Sequence, residues 1–162
     1  MKRIFLLGII ISVMAMQLNA QDSFKRKYVA GPTSAVSALK IDGNINVTLV
    51  VAPNEPSVYF DGSEHFTRNI KTSVIDGEMT IIAYTSSRSE NDVVVIYAPD
   101  LSSLELIGDV KFKTIGTVNA ENLRLTINGN CKLSIQHAGE LDISLADNYE
   151  LVEKKERRLN TN

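Results

Sequence analysis

Four charged residues, Asp109, Lys111, Lys132 and Glu150, stand in related places of a phrase that recurs along this chain. Clustered carboxylates, or a Lys base, on an exposed sheet are what sugar-cleaving β-solenoids use. Such chemistry needs one carboxyl kept as an acid and another as a base by contrasting surroundings. Nothing in the sequence sets Asp109 and Glu150 apart in that way. A solvated face accounts for the same residues. Lys132 beside Glu150 makes an exposed ion pair worth about 0–1 kcal/mol, and Lys111 beside Lys132 repels weakly. No catalytic residue is expected.

The other chemically capable residues lead to the same place. His65 and His137 lie far apart in different elements, and neither belongs to a metal-ligand cluster. There is no Gly-x-Ser-x-Gly elbow and no Asp-rich calcium-binding nonapeptide. Asn46-Val47-Thr48 matches a glycosylation triplet, but it falls inside an expected strand. Cys131, the single cysteine, fills an apolar slot of the phrase and reads as a buried, inert thiol. One cysteine leaves no internal disulfide, so packing and backbone pairing must hold the fold. Neither cofactor nor metal is expected.

The phrase itself is apolar-x-apolar-x-Gly/Asp-Asn/Asp-apolar-x-apolar. It occurs at Leu39–Val47, Leu104–Phe112, Leu125–Leu133 and Ile143–Leu151. Each copy alternates, turns at a polar corner and alternates again. That pattern describes two short strands of one coil able to stack on the next at a spacing of about 4.8 Å. The later copies start 21 and 18 residues apart, a period that signals a solenoid. Stacking predicts a buried column of Leu106, Ile127 and Leu145, and another of Phe112, Leu133 and Leu151. Val110, Cys131 and Tyr149 sit between them. The corners Asp109, Asn130 and Asn148 are expected to form a polar ladder. Lys111, Lys132 and Glu150 face solvent in one column.

Upstream, Pro53-Asn54-Glu55-Pro56 reads as a turn, and residues 57–61 as a short strand. Ser63 caps a helical candidate running to Asn69. Residues 71–75 and 79–84 form a hairpin around Asp76-Gly77. Thr85 to Asp92 is a polar, Ser-rich loop. The continuous run Val93–Tyr97 should be covered on both faces.

The chain opens with Lys2-Arg3, an apolar stretch from Ile4 to Met16 and a small residue at Ala20. The stretch is shorter than the roughly 20 residues a membrane span needs, and together these features read as a cleavable export signal. Cleavage after Ala20 leaves 142 of the 162 residues, with 15 basic against 19 acidic residues and a net charge of −4. That mild acidity argues against a nucleic-acid partner. The expected layout is a signal peptide at 1–20, a polar lead at 21–34, one domain at 35–151 and a charged tail at 152–162. The tail's Glu153-Lys154-Lys155-Glu156-Arg157-Arg158 run is read as a stop that discourages further stacking.

Three stretches resemble a known family. They are Leu39-Lys-Ile-Asp-Gly-Asn-Ile-Asn-Val-Thr-Leu-Val50, Pro56 to Ile81 with its two Asp-Gly pairs, and Val93-Val-Val-Ile-Tyr-Ala-Pro-Asp-Leu-Ser-Ser-Leu-Glu-Leu-Ile-Gly-Asp-Val110. With the later copies, the resemblance to the auto-transporter adhesin, head GIN domain proteins of Gram-negative bacteria covers roughly residues 35–151. It implies an exported, right-handed parallel β-helix-like solenoid, all-β with an irregular N-terminal β portion. It carries no catalytic motif. Family members usually continue for several more coils, and the last copy here has Asp147 where Gly is usual. The expected function is non-catalytic binding of a glycan or envelope protein at the cell envelope or surface. The alternatives are a carbohydrate-active enzyme and a purely structural envelope protein. The sequence names no binding residue and no oligomeric state.

Overall fold

The computed structural model describes residues 24–29, 36–53, 56–85, 89–145 and 148–156. The expected signal peptide, Asp147 and the end of the charged run fall outside them. Among the described residues, no helix is long and apolar enough to cross a membrane.

The described residues are all-β apart from one short helix. It runs β1 (Phe24–Val29), β2 (Ala38–Gly43), β3 (Ile45–Val51), β4 (Ser57–Gly62), α1 (Glu64–Arg68), β5 (Ile70–Ile75), β6 (Glu78–Ala83) and β7 (Val93–Ala98). It continues with β8 (Ser103–Ile107), β9 (Val110–Ile115), β10 (Asn122–Asn128), β11 (Cys131–His137), β12 (Glu140–Leu145) and β13 (Tyr149–Lys155). These strands form two mixed sheets. One has seven strands in the order β1-β4-β7-β3-β9-β11-β13, the other six in the order β12-β10-β8-β2-β6-β5. Pairing is parallel except for β1 with β4, β4 with β7 and β5 with β6.

Period-two alternation explains which side chains go inside. In β10, Leu123, Leu125 and Ile127 are buried while Asn122, Arg124 and Asn128 are exposed. The inward sides of both sheets share one apolar core, where each fully buried Leu or Ile is worth about 1.5–3 kcal/mol. The register aligns equivalent positions of the phrase. Leu39 faces Leu104, which faces Leu125, which faces Ile143. In the other sheet Val47 faces Phe112, Phe112 faces Leu133, and Leu133 faces Leu151. The columns loosen at the last layer: Leu133 is buried, Leu151 half-buried, and Tyr149 40% exposed where Cys131 is buried.

The layers are not stacked in chain order. β2 and β3 lie between β6/β7 on one side and β8/β9 on the other. The first copy of the phrase therefore pairs directly with the second, 65 residues later, as Lys40 with Glu105 shows. Residues 78–98 form the layer on its far side, although they lack the Gly-Asn corner. Alternation in β6 and the continuous apolar run of β7 suffice to enter the stack.

Local signals account for the turns. Ser63 Oγ accepts from the Phe66 N–H, capping α1. Asp76 and Gly77 both have positive φ, 49° and 80°, making the two-residue hairpin turn directly, with Glu78 already paired to Ile75. At the corners of the phrase, glycine rather than asparagine sets the geometry. Gly43, Gly108 and Gly129 have φ of +135°, +92° and +140°. Backbone bonds cross these corners: Gly108 N–H donates to Asn128 C=O, and Cys131 N–H to Asn148 C=O. Asn130 and Asn148 face solvent.

Three expectations need correction. The polar lead contains a strand, since β1 pairs antiparallel along the whole of β4. The charged run does not begin after the last strand: residues 152–155 belong to β13 and pair with Ser134–His137. β7 is not covered equally on both faces. Val94, Ile96 and Ala98 are buried, but Val93, Val95 and Tyr97 are half-buried, with Tyr97 packed edge-on against Tyr59 at 5.5 Å.

Candidate functional site

The outer face of the seven-stranded sheet gathers the charged residues singled out from the sequence. Alternation turns Lys111, Lys132 and Glu150 outward, and the register places them side by side on β9, β11 and β13. Lys132 Nζ lies 3.0 Å from Glu150 Oε2, both side chains more than half exposed. Asp109, at the corner before β9, is half-buried, and its carbonyl accepts from Ile45 N–H. It is not brought beside Glu150 as an acid–base partner: the carboxylate next to Glu150 in the row is missing, and Lys132 stands there instead.

Sequence reasoning missed the neighbours of this row. Lys113, two residues after Lys111, shares its face and lies opposite Thr48 and Ser134. Period-two spacing alone could have found it. Glu90, from the polar loop, approaches Lys111 at 3.9 Å. That proximity had no sequence signal, because 21 residues and a loop separate the two. Asn46, opposite Lys111, donates from Nδ2 to the carbonyls of Ser89 (2.8 Å) and Asp92 (3.0 Å). The loop end is tied again where Asp92 Oδ1 accepts from Ser63 N–H at 2.9 Å. Asn46 is thus a loop anchor, and Thr48 is buried. Between the loop end and the sheet lies an open groove of about 270 Å³, lined chiefly by Asn46, Thr48, Glu90, Val93, Lys111 and Lys113.

A second polar cluster closes the far end of the same sheet. Gln136 N–H donates to Thr114 Oγ1 at 2.9 Å, and its side-chain amide to Thr117 Oγ1 at 2.8 Å and to Glu156. Thr117 Oγ1 donates to Glu156 Oε2 at 2.8 Å. Nearby, His137 is buried, with Nδ1–H donating to Gly139 C=O at 3.0 Å and Nε2 2.8 Å from Glu153 Oε1. His65 is exposed on α1. The described residues hold no group of three His, Cys, Asp or Glu side chains fit to bind a metal. Cys131 is buried, and burial pushes its thiol above the ordinary value. It is a poor nucleophile for that reason.

On the opposite sheet, Lys40 Nζ meets Glu105 Oε2 at 3.0 Å, and that hydrogen bond raises the Lys40 pKa. This pair crosses the junction between the first and second copies of the phrase.

Three solved structures share the fold. A putative adhesin from Bacteroides fragilis superposes with a TM-score of 0.57 at 16% identity, over 80% of this chain and 65% of that one. This chain therefore spans just under two thirds of that protein. A putative lipid binding protein from Parabacteroides distasonis gives a TM-score of 0.51 at 11% identity, covering 82% of this chain and 68% of the other. A putative cell adhesion protein from Clostridium sporogenes gives 0.51 at 14% identity, covering 83% of this chain and all of the other. At such identities the likeness concerns the fold. No functionally curated protein matches the sequence. Residues 36–153 match the family model described as "Putative auto-transporter adhesin, head GIN domain". The chain belongs to the auto-transporter adhesin, head GIN domain family.

Proposed function

We propose that this protein is an exported, non-catalytic adhesin-type protein of the cell envelope, which presents the outer face of its seven-stranded sheet to a glycan or an envelope protein. One observation carries the reading. The face holds a row of long charged side chains across adjacent strands, Lys111, Lys132 and Glu150, and among the described residues no paired carboxylates in contrasting environments. Such a surface suits recognition and lacks the acid–base division that glycoside cleavage requires. The finer architecture we infer is a right-handed parallel β-helix with antiparallel additions at one end. Parallel register between successive copies of the phrase supports it. Residues 1–20 serve as the export signal, so the mature protein begins at Gln21.

The test uses the mature chain and a variant with Lys111, Lys132 and Glu150 all replaced by Ala. Binding to polysaccharide arrays and to envelope fractions should weaken in the variant, with no cleavage by either protein. Cleavage by the native chain that disappears in the variant would establish an enzyme instead. Equal binding by both proteins would remove this face from the function and favour a structural role. N-terminal sequencing of the exported protein should read Gln21-Asp22-Ser23; an intact Met1 would refute the signal.

A further inference from the structure

The groove beside Glu90 has a charge arrangement that the binding reading does not explain. Lys111 and Lys113 project from one strand face, so their backbones are about 7 Å apart. Among the described residues, Lys111 meets only the Glu90 carboxylate, at 3.9 Å, and the Glu90 side chain is 93% exposed. Such a loose, solvated pair has little hold on its lysine. Lys113 is exposed and, among the described residues, has no carboxylate partner. Next to them, Lys132 is neutralised by its own Glu150 at 3.0 Å. The groove thus carries one positive charge in excess on a protein that is acidic overall. Its wall is built rather than incidental, since Asn46 and Ser63 hold the loop end at both Ser89 and Asp92. Further along the same face, Ile115 is 54% exposed and lies opposite Val50. This apolar shelf suits the C–H face of a sugar ring.

From this geometry we infer that the groove is a subsite for an acidic polysaccharide, whose carboxylate or sulfate group lodges between Lys111 and Lys113 and displaces Glu90. Glu90 occupies the ligand's place when the groove is empty of it. The inference rests on the proposed binding role and adds to it a ligand class and a competing internal carboxylate.

Affinity electrophoresis of the mature chain through polygalacturonate tests the carboxylate, and through chondroitin sulfate the sulfate. Fully methyl-esterified polygalacturonate supplies the same backbone without charge. Binding should be seen with one or both acidic polymers, weaken with added salt and be lost on esterification. Lys111→Ala combined with Lys113→Ala should weaken it about tenfold. Glu90→Gln should strengthen it by about two- to threefold, since the competitor is gone. Lys71→Ala, on the other sheet, should leave it unchanged. Glu90, Lys113 and Lys71 are exposed and Lys111 is half-buried, and matching thermal melts will show that the variants are folded. Unchanged binding in the double variant, weaker binding in Glu90→Gln, or equal binding to the esterified polymer would overturn the inference. So would retention by anionic phospholipid vesicles with none by either acidic polymer. If the subsite fails but neutral glycans or envelope fractions still bind through the sheet face, the broader proposal survives. If nothing binds that face, both fall.

Discussion

A β-carbon placed on Gly129 would lie 2.2 Å from the carbonyl oxygen of Gly108 and 2.7 Å from its nitrogen. The same corner one layer back is nearly as tight, with Gly108 against the Gly43 carbonyl at 2.8 Å, and Gly43 against that of Ala83 at 2.5 Å. The layers approach so closely here that only hydrogen fits, and positive φ adds a second reason for glycine. Gly129→Ala should therefore lower stability by about 2–4 kcal/mol. Asn130→Ala, at the exposed corner position, should change it by less than about 0.5 kcal/mol. Urea unfolding of the two variants decides the matter. A larger effect at Asn130 would return the corner to an asparagine ladder.

The buried ring of His137 ties the last layer to the one before it. Its two nitrogens meet Gly139 C=O and Glu153 Oε1, so one side chain joins the β11–β12 turn to β13. His137→Ala removes both links and leaves a cavity. It should cost about 2–3 kcal/mol and speed amide exchange most in β13. Hydrogen exchange read strand by strand checks this. Exchange that rises equally in β3 and β13 would show a global loss instead.

Acid should loosen the same end of the molecule. The Lys155 ammonium, 2.8 Å from Glu140 Oε1, holds the Glu140 carboxyl below its ordinary value of 4.5. A carboxyl depressed on folding contributes stability above its unfolded pKa, and that contribution is lost as pH falls through the folded value. Unfolding midpoints followed from neutral pH to about pH 3 should fall less steeply for Glu140→Gln than for the native chain. Both groups are exposed, so the difference will be small and reduced by salt. Identical acid limbs would contradict the assignment.

Cys131 should be chemically silent in the folded protein. Its sulfur is fully buried and burial raises the thiol pKa. An Ellman-type reagent should label it only as the protein unfolds, in step with the loss of β signal. Cys131→Val, the residue type of Val110 in the preceding copy, should cost less than about 1.5 kcal/mol. Rapid labelling of the native protein would contradict a buried, inert thiol.

The recurring phrase made much of the fold legible in advance. Apolar residues two apart, such as Leu125 and Ile127, predict strands and their inward faces because a strand turns each side chain by half a revolution. Laying Leu104–Phe112 over Leu125–Leu133 reproduced the observed register without adjustment. Residue type alone also placed Lys132 beside Glu150 and buried Cys131, since every second position of a stacked strand shares one environment. What stayed hidden depends on separation along the chain. No local pattern says that β2 and β3 sit between residues 78–98 and residues 103–115, because pairing order is chosen by the total area the layers bury together. β1 was obscured by Lys25-Arg26-Lys27, a run whose polarity masks an edge strand. The groove required the tertiary structure throughout: Glu90 reaches Lys111 only because Asn46 draws the loop end onto the sheet. Sequence periodicity determined what faces inward and which positions align. The three-dimensional packing alone decided which layers are neighbours, and with them which charges meet on the outer face.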